Sequence, residues 1–134
     1  MSGKHFVFVY GTLLRGEPNH ALLADCECVI AHAEAGGLML CVTSRHAGFP
    51  YAVLTGNRRD RVRGEVWRVD EPTLARLDVL EGVAAGHYVR VMRYVHDLQT
   101  DEALQAWMYV AASKPQPCIR IDSGSWRTWR TLRA

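Results

Sequence analysis

An apolar run that ends in a glycine-bearing loop is the feature that most constrains the fold of this chain. Residues 5–9 are rich in β-branched and aromatic side chains, which is typical of a buried strand, and Gly11 ends the run. A second glycine, a proline and an Asn-His pair follow at Gly16, Pro18, Asn19 and His20. Because such a loop can turn several backbone N–H groups toward one point, it predicts a site for an anion or an oxyanion. An ordinary strand-to-turn junction is the alternative for so short a motif.

Short strands make up most of the predicted structure. The pattern of apolar residues predicts strands at residues 28–35, 38–43, 51–54, 62–69, 87–96 and 104–112. Gly64 inside one of them indicates a bulge or a close backbone approach. Residues 106–110 are apolar on both faces, which favours a central strand. With many strands, few helices and no regular βαβ alternation, we predict an α+β domain built around a curved or barrel-like sheet.

One helix is strongly indicated between Asp70 and Gly82. Asp70 is a suitable N-cap, Pro72 lies in the first turn, and Gly82 stands just past the end. Between these signals, leucines recur at helical spacing, at Leu74, Leu77 and Leu80.

Two shorter helical segments are predicted with caps of their own. Asn19 is positioned to cap a helix over residues 20–25. Ser125 is positioned to cap a last helical turn, in which Trp126 and Trp129 share one face.

Glu81 breaks the apolar pattern of the main helix. It follows Leu74 by seven positions and Leu77 by four, so at about 100° per residue it shares their inward face. A carboxylate that points inward is uncommon unless it is paired, hydrogen-bonded or functional. Burial and the negative end of the helix dipole both act to raise its pKa toward the range of a general base near neutral pH. The alternative is that the helix end frays and Glu81 turns to solvent.

Two other carboxylates lie near this helix in the sequence. Asp78 is off the centre of the apolar stripe, and we predict it at the surface. Glu65, on the strand before the helix, is either a second carboxylate of the cavity or one half of a strand-edge ion pair, and the ion pair is the favoured interpretation.

Composition limits the kinds of partner that the protein is expected to bind and the compartment in which it is expected. A chain of 134 residues, 49% of them apolar, predicts one domain over residues 1–134. The net charge is only +2, and the basic residues at 58, 59, 61 and 63 are interpreted as a solvated loop and strand edge, so no nucleic-acid partner is expected. No stretch approaches the roughly 20 apolar residues of a membrane span, and the N-terminus lacks a secretory apolar region. We therefore expect a cytoplasmic protein without a membrane partner.

The cysteines predict neither disulfides nor a metal site. Cys26, Cys28, Cys41 and Cys118 are expected to be reduced structural thiols. The spacing of Cys26 and Cys28 does not match a zinc knuckle, and no second pair of ligands completes a site.

Two groups of motifs together resemble a known enzyme family. The first is Tyr-Gly-Thr-Leu at residues 10–13, with Arg-Gly at 15–16 and Asn-His at 19–20. The second is Leu-Asp at 77–78 and Glu-Gly at 81–82, which lead to Tyr88 and Arg90. Further matches at residues 64–66, 107–110 and 123–126 extend the resemblance from about residue 6 to about residue 127. In this order and spacing, the motifs resemble the small bacterial and γ-glutamylamine cyclotransferase branch of the γ-glutamylcyclotransferase-like (AIG2-like) family.

The resemblance implies a small mixed β-barrel with a few flanking helices. Enzymes of this family convert a γ-glutamyl amide into 5-oxoproline and a free amine, without a cofactor. By the resemblance, Glu81 corresponds to the catalytic acid/base, and the substrate-anchoring loop corresponds to Tyr10, Gly11, Thr12 and Leu13. The animal branch that metabolises glutathione has a Ser-Asn variant of this loop, so glutathione breakdown is not implied and the leaving amine stays open.

This chemistry suits a chain in which no Ser-His-Asp or Cys-His arrangement is evident. The substrate's own α-amine attacks its γ-carbonyl, so the protein must hold the substrate bent and move protons, which one carboxylate can do. Tyr88 and Tyr109 are candidate substrate-binding residues that line the pocket or orient Glu81, with plain core positions as the alternative. Arg90 pairs with the substrate carboxylate, with Glu81 or with a structural partner, and the structural pair is favoured.

The first hypothesis is therefore a γ-glutamylcyclotransferase-like enzyme that acts on a small-molecule γ-glutamyl substrate. The alternative is a non-catalytic small-ligand-binding or regulatory protein that keeps the same barrel and cavity. Glu81 together with the Tyr-Gly-Thr-Leu loop at residues 10–13 favours the enzyme, because a binding protein has no need of that carboxylate. Low net charge disfavours a nucleic-acid-binding barrel. The oligomeric state is left open.

Overall fold

Five strands close into a barrel in the computed structural model, which describes residues 4–133. The strands are Lys4–Val9 (β1), Glu27–Gly36 (β2), Leu38–Val42 (β3), Tyr51–Leu54 (β4), Arg61–Asp70 (β5), Tyr88–Asp97 (β6), Ala103–Ala111 (β7) and Ile119–Ile121 (β8). The α-helices are Glu71–Leu80 (α1) and Trp126–Arg133 (α2), and a short 3-10 helix spans His20–Leu23. The predicted α+β class and barrel are confirmed, whereas β8 was not predicted.

The barrel has the strand order β1-β5-β2-β6-β7 and is closed by a parallel pairing of β1 with β7. Val7 lies opposite Trp107 and Phe8 opposite Met108 in that pairing. Its other neighbouring strands are antiparallel. Because β7 lies between β6 and β1, its apolar character on both faces agrees with the predicted central position. The strands β4, β3 and β8 form a separate three-stranded sheet.

Gly64 allows β1 and β5 to meet where the first loop begins. A Cβ atom added at Gly64 would lie 2.1 Å from the carbonyl oxygen of Val9, so no other residue fits without a backbone shift. The predicted close approach is confirmed. In the same pairing, Val9 at the end of β1 lies opposite Glu65.

The helix caps agree with the sequence in two cases out of three. The side chain of Asp70 accepts a hydrogen bond from the Thr73 amide at 2.9 Å, and that of Ser125 accepts one from Thr128 at 3.2 Å. The prediction for Asn19 is wrong: the element is a 3-10 helix, and the Asn19 side chain makes no capping bond because it binds elsewhere. No helix within residues 4–133 has the length and apolar character needed to cross a bilayer.

Candidate active site

A pocket of about 520 Å³ opens beside the end of β1. Four segments form its walls: the end of β1 with the first loop, the β3–β4 connection, the end of α1 with the start of β6, and β7. It is lined by Phe8, Val9, Tyr10, Gly11, Thr12, Leu13, Pro18, Asn19, Gly48, Phe49, Pro50, Tyr51, Leu80, Glu81, His87, Tyr88 and Tyr109. The structure therefore brings all seven predicted site residues together around one space.

Asn19 holds the first loop in shape. Its side-chain amide donates to the Thr12 hydroxyl at 2.9 Å, and its backbone amide donates to the Thr12 carbonyl at 2.8 Å. The Nδ1 atom of His20 lies 2.9 Å from the carbonyl oxygen of Leu13. The Asn19 side chain, predicted as a helix cap, thus binds within the loop, and the three contacts fold residues 12–20 into a compact turn.

The backbone of the first loop presents donors to the pocket. Within residues 4–133, the amide N–H groups of Gly11, Thr12 and Leu13 donate to no acceptor of the protein. Backbone amides in folded proteins are almost always paired, and a run of free ones can bind an anion or a polar oxygen. A Cβ atom at Gly11 would lie 2.8 Å from Cδ of Pro50, which explains glycine at this point of the wall.

Glu81 is held at the end of α1 by a Schellman motif. The Gly82 amide donates to the carbonyl of Val79, the Val83 amide donates to that of Asp78, and Gly82 has a φ of 65°. Glu81 is thus the C-cap residue, and the chain turns away directly after it. The inward register predicted from Leu74 and Leu77, which are buried, continues to Glu81 at the pocket wall.

The Glu81 carboxylate has no ion-pair or hydrogen-bond partner among residues 4–133. Burial raises the pKa of Glu81 from 4.5 to about 7. Its position at the negative end of the α1 dipole acts in the same direction. A carboxylate of this kind is half-protonated near neutral pH, so it can both accept and donate a proton.

Three tyrosines near Glu81 direct their protons away from it. Tyr10 donates to the carbonyl of Tyr109 at 2.6 Å, and Tyr88 donates to that of Pro50 at 3.0 Å. Tyr109 donates to Oδ1 of Asp78 at 2.6 Å. Burial raises the pKa of all three phenols, so they stay protonated. Toward the pocket, the hydroxyls of Tyr88 and Tyr109 therefore offer only the lone pairs of their oxygens, whereas the Tyr10 oxygen accepts a bond from the Ala52 amide at 3.3 Å.

Asp78 and Arg90 form a support behind Tyr109. The Nε atom of Arg90 lies 3.6 Å from Oδ1 of Asp78, and the guanidinium lies 4.4 Å above the ring of Trp107. The structural pair predicted for Arg90 is confirmed. The surface position predicted for Asp78 holds only in part: its side chain is 31% exposed, and its carboxylate accepts a bond from Tyr109 of β7.

Glu65 lies outside the pocket, on the opposite side of the first loop. Its carboxylate accepts hydrogen bonds from the Trp67 indole and the Arg15 amide, both at 3.0 Å, and forms an ion pair with Arg127 at 3.1 Å. The predicted ion pair is confirmed, but it is not at a strand edge, because β5 lies between β1 and β2.

Comparison with known proteins assigns this arrangement to a family. Residues 7–128 match the family described as gamma-glutamyl cyclotransferase, AIG2-like. The chain belongs to this family. A Vibrio cholerae protein provisionally named a gamma-glutamylcyclotransferase is 33% identical over 123 residues, which cover 92% of this chain and 96% of the relative. The mouse gamma-glutamylaminecyclotransferase is 28% identical over 117 residues, or 80% of this chain and 78% of the mouse protein.

Solved structures agree with the assignment to the gamma-glutamyl cyclotransferase, AIG2-like family. A Pyrococcus horikoshii protein has a TM-score of 0.71 at 26% identity and covers 96% of this chain and 94% of its own. The mouse AIG2-like protein has a TM-score of 0.68 at 26% identity, with 89% and 86% covered. The family resemblance and the enzyme class expected from the sequence, a γ-glutamylcyclotransferase, are thereby confirmed.

One wall of this cyclotransferase-family pocket was not predicted. The β3–β4 connection contributes Gly48, Phe49 and Pro50, and the first residue of β4 contributes Tyr51. His87 comes from the turn before β6. The only signal in the sequence was a Phe-Pro pair at residues 49–50 inside a predicted loop, which by itself points to no particular partner.

Proposed function

We propose that this protein catalyses the ring closure of a γ-glutamyl amide to 5-oxoproline, with release of a free amine and with Glu81 as the general acid/base. The observation that carries the proposal is a single unpaired carboxylate and three unpaired loop amides in one pocket. The names of the relatives support the same reaction class, and the mouse relative is named for γ-glutamylamine substrates.

The reaction requires one bond to form and one to break. The neutral α-amine of the substrate attacks its own γ-carbonyl carbon, and the C–N bond to the leaving amine breaks when the tetrahedral intermediate collapses. Glu81 accepts the proton that the attacking nitrogen loses and delivers it to the departing nitrogen. Because the attacking amine is tethered, the remaining task of the protein is to hold the substrate bent, with amine and carbonyl in contact.

The polarity of the pocket walls supports one orientation of the substrate. The amides of Gly11, Thr12 and Leu13 are donors, which suits the carbonyl oxygen that becomes negative during attack. The hydroxyl oxygens of Tyr88 and Tyr109 are acceptors, which suits the substrate's α-amine. The reacting atoms would then lie between the first loop and Glu81.

Product identification with a blocked substrate tests the proposal. Wild-type protein should release 5-oxoproline and amine in equal amounts from a γ-glutamyl alkylamide, and the matched N-acetyl-γ-glutamyl alkylamide should not react because its nitrogen cannot attack. Cleavage of the acetylated compound, or release of glutamate in place of 5-oxoproline, contradicts ring closure. Binding of the substrate without any turnover favours the non-catalytic binding protein instead.

A further inference from the structure

We propose that the leaving amine carries an uncharged, apolar substituent that binds against Phe49 and Leu80 at the mouth of the pocket. This inference rests on the proposed function, because ring closure at Glu81 fixes which end of the substrate lies inside. The glutamyl portion occupies the inner space beside Glu81, and the substituent of the amine extends outward.

Exposure separates the mouth of the pocket from its inner wall. Phe49 is 47% exposed and Leu80 is 41% exposed, although both line the pocket. Tyr10, Tyr88 and Tyr109 are buried and form the inner wall. Large apolar side chains that stay exposed around an opening are a feature of surfaces that a ligand covers.

An aromatic series joins the mouth to the interior. The ring of Phe49 meets that of Tyr51 edge to face with centroids 5.5 Å apart, and Tyr51 stacks on Tyr88 at 5.1 Å. The Tyr88 hydroxyl is anchored to Pro50, which keeps this series in place. An alkyl or aryl substituent that leaves the reaction centre therefore finds apolar surface along its whole path.

The charges around the pocket disfavour a charged substituent. Among the residues that line it within the described chain there is no lysine or arginine, and the one carboxylate, Glu81, is used in the reaction. His87 also lines it, at the exposed rim. Asp78 and Arg90 neutralise each other outside the pocket. A distal carboxylate or ammonium on the leaving amine would therefore lose water without gaining a fixed partner.

Isosteric pairs of substrates test the inference. The first test compares the kcat/KM of γ-glutamyl-pentylamide with that of γ-glutamyl-putrescine. The second compares γ-glutamyl-4-methylpentylamide with γ-glutamyl-4-aminobutyrate. In each pair the shape is matched and only the distal charge differs. The neutral member should be faster by at least about tenfold, and within the neutral n-alkyl series kcat/KM should rise by about fourfold per methylene until the mouth is filled.

Variants at the mouth locate the effect. In Phe49→Ala and Leu80→Ala, the increase in kcat/KM per added methylene should become smaller, because apolar surface is removed from the mouth of the pocket. Val79→Ala is the matched control, since Val79 precedes Leu80 on α1, is 81% exposed and does not line the pocket, and its slope should equal that of the wild type. Phe49→Lys should shift the preference several-fold toward the 4-aminobutyrate conjugate.

The outcomes separate this inference from the proposed function. Charged substrates that react as fast as their neutral isosteres, or an unchanged slope in both alanine variants, overturn the apolar subsite. If no member of the panel, charged or neutral, yields 5-oxoproline, the ring-closing function itself is refuted.

Discussion

The two sides of the first loop use their carboxylates in opposite ways. Where β5, the first loop and α2 meet, Glu65 is 6% exposed and accepts bonds from Trp67, Arg15 and Arg127. Glu17, nearby, accepts from the Trp126 indole at 3.0 Å and pairs with Arg130 at 3.1 Å. In the pocket, on the other side of the same loop, Glu81 has no such partner within residues 4–133.

The contrast separates a structural use of a carboxylate from a chemical one. A buried charge is tolerated when donors surround it, and the arginines and indoles of α2 and β5 supply these donors. Glu65 and Glu17 thereby tie the first loop to the barrel and to α2. Glu81 receives no such hydrogen bonds, because the hydroxyls of Tyr10, Tyr88 and Tyr109 all donate to other acceptors. The carboxylate keeps its raised pKa and stays available for proton transfer.

The largest expected effect comes from Glu81→Gln. The amide cannot accept the proton of the attacking amine, so kcat for 5-oxoproline release should fall by about 10²–10⁴-fold. Circular dichroism should show an unchanged fold. Glu102→Gln, at an exposed position away from the pocket, is the control and should keep wild-type activity. If the Glu81 variant turned over substrate within a few-fold of the wild-type rate, Glu81 would not be the general acid/base and its contrast with Glu65 would fail.

The opposite result is expected for Glu65→Ala. The substitution leaves the buried Trp67 indole and the Arg15 amide without an acceptor, so the free energy of unfolding should fall by about 2–4 kcal/mol. Urea denaturation measures this loss, and kcat of the folded protein should change by less than about tenfold. Glu27→Ala is the control: its pair with Arg68 is exposed, and its loss should cost less than about 1 kcal/mol. Equal losses for both variants would argue against the structural role.

The pH dependence of stability sharpens the comparison. Folding raises the pKa of Glu81 from 4.5 to about 7, so the folded state favours the protonated form. The contribution of Glu81 to stability is fully present below about pH 4.5 and is lost as the pH rises through about 7. Relative to the wild type, Glu81→Gln should therefore gain about 1–3 kcal/mol between pH 4 and pH 8. Parallel stability curves for the two proteins would show that Glu81 titrates normally.

The smallest expected effect is that of Asp78→Asn. Asparagine keeps the shape of the side chain, but it is a weaker acceptor for the Tyr109 hydroxyl and a weaker partner for Arg90. The Tyr109 hydroxyl is then held less firmly with its oxygen toward the pocket. We expect kcat/KM to fall about three- to tenfold, mainly through KM. Arg76→Gln is the control variant for kcat/KM, because Arg76 lies on the same helix but outside the pocket. A fall as large as that of Glu81→Gln would place Asp78 in the reaction itself.

Local features of the site were predictable from the sequence. The register of Leu74, Leu77 and Glu81 follows from the helical repeat, and the stop after Glu81 follows from Gly82, because only short-range geometry is involved. The glycine loop after β1 was likewise visible as a break in a strand pattern. The side-chain role of Asn19 was not predictable, because Asn19 binds Thr12 instead of capping a helix. Nor did the sequence indicate that Asp78 accepts a bond from Tyr109.

By itself, the sequence determined the approximate positions of β1 to β7 and of α1, and that a carboxylate ends the buried face of α1. Only the tertiary structure decided what that carboxylate meets. Tyr109 and Pro50 are distant from Glu81 in the chain and reach the pocket through the barrel closure and the β3–β4 connection. The pKa of Glu81 is raised by its desolvation, which is a property of the assembled walls. A periodic pattern specifies the face on which a residue lies, whereas its neighbours are chosen by contacts between elements far apart in the chain.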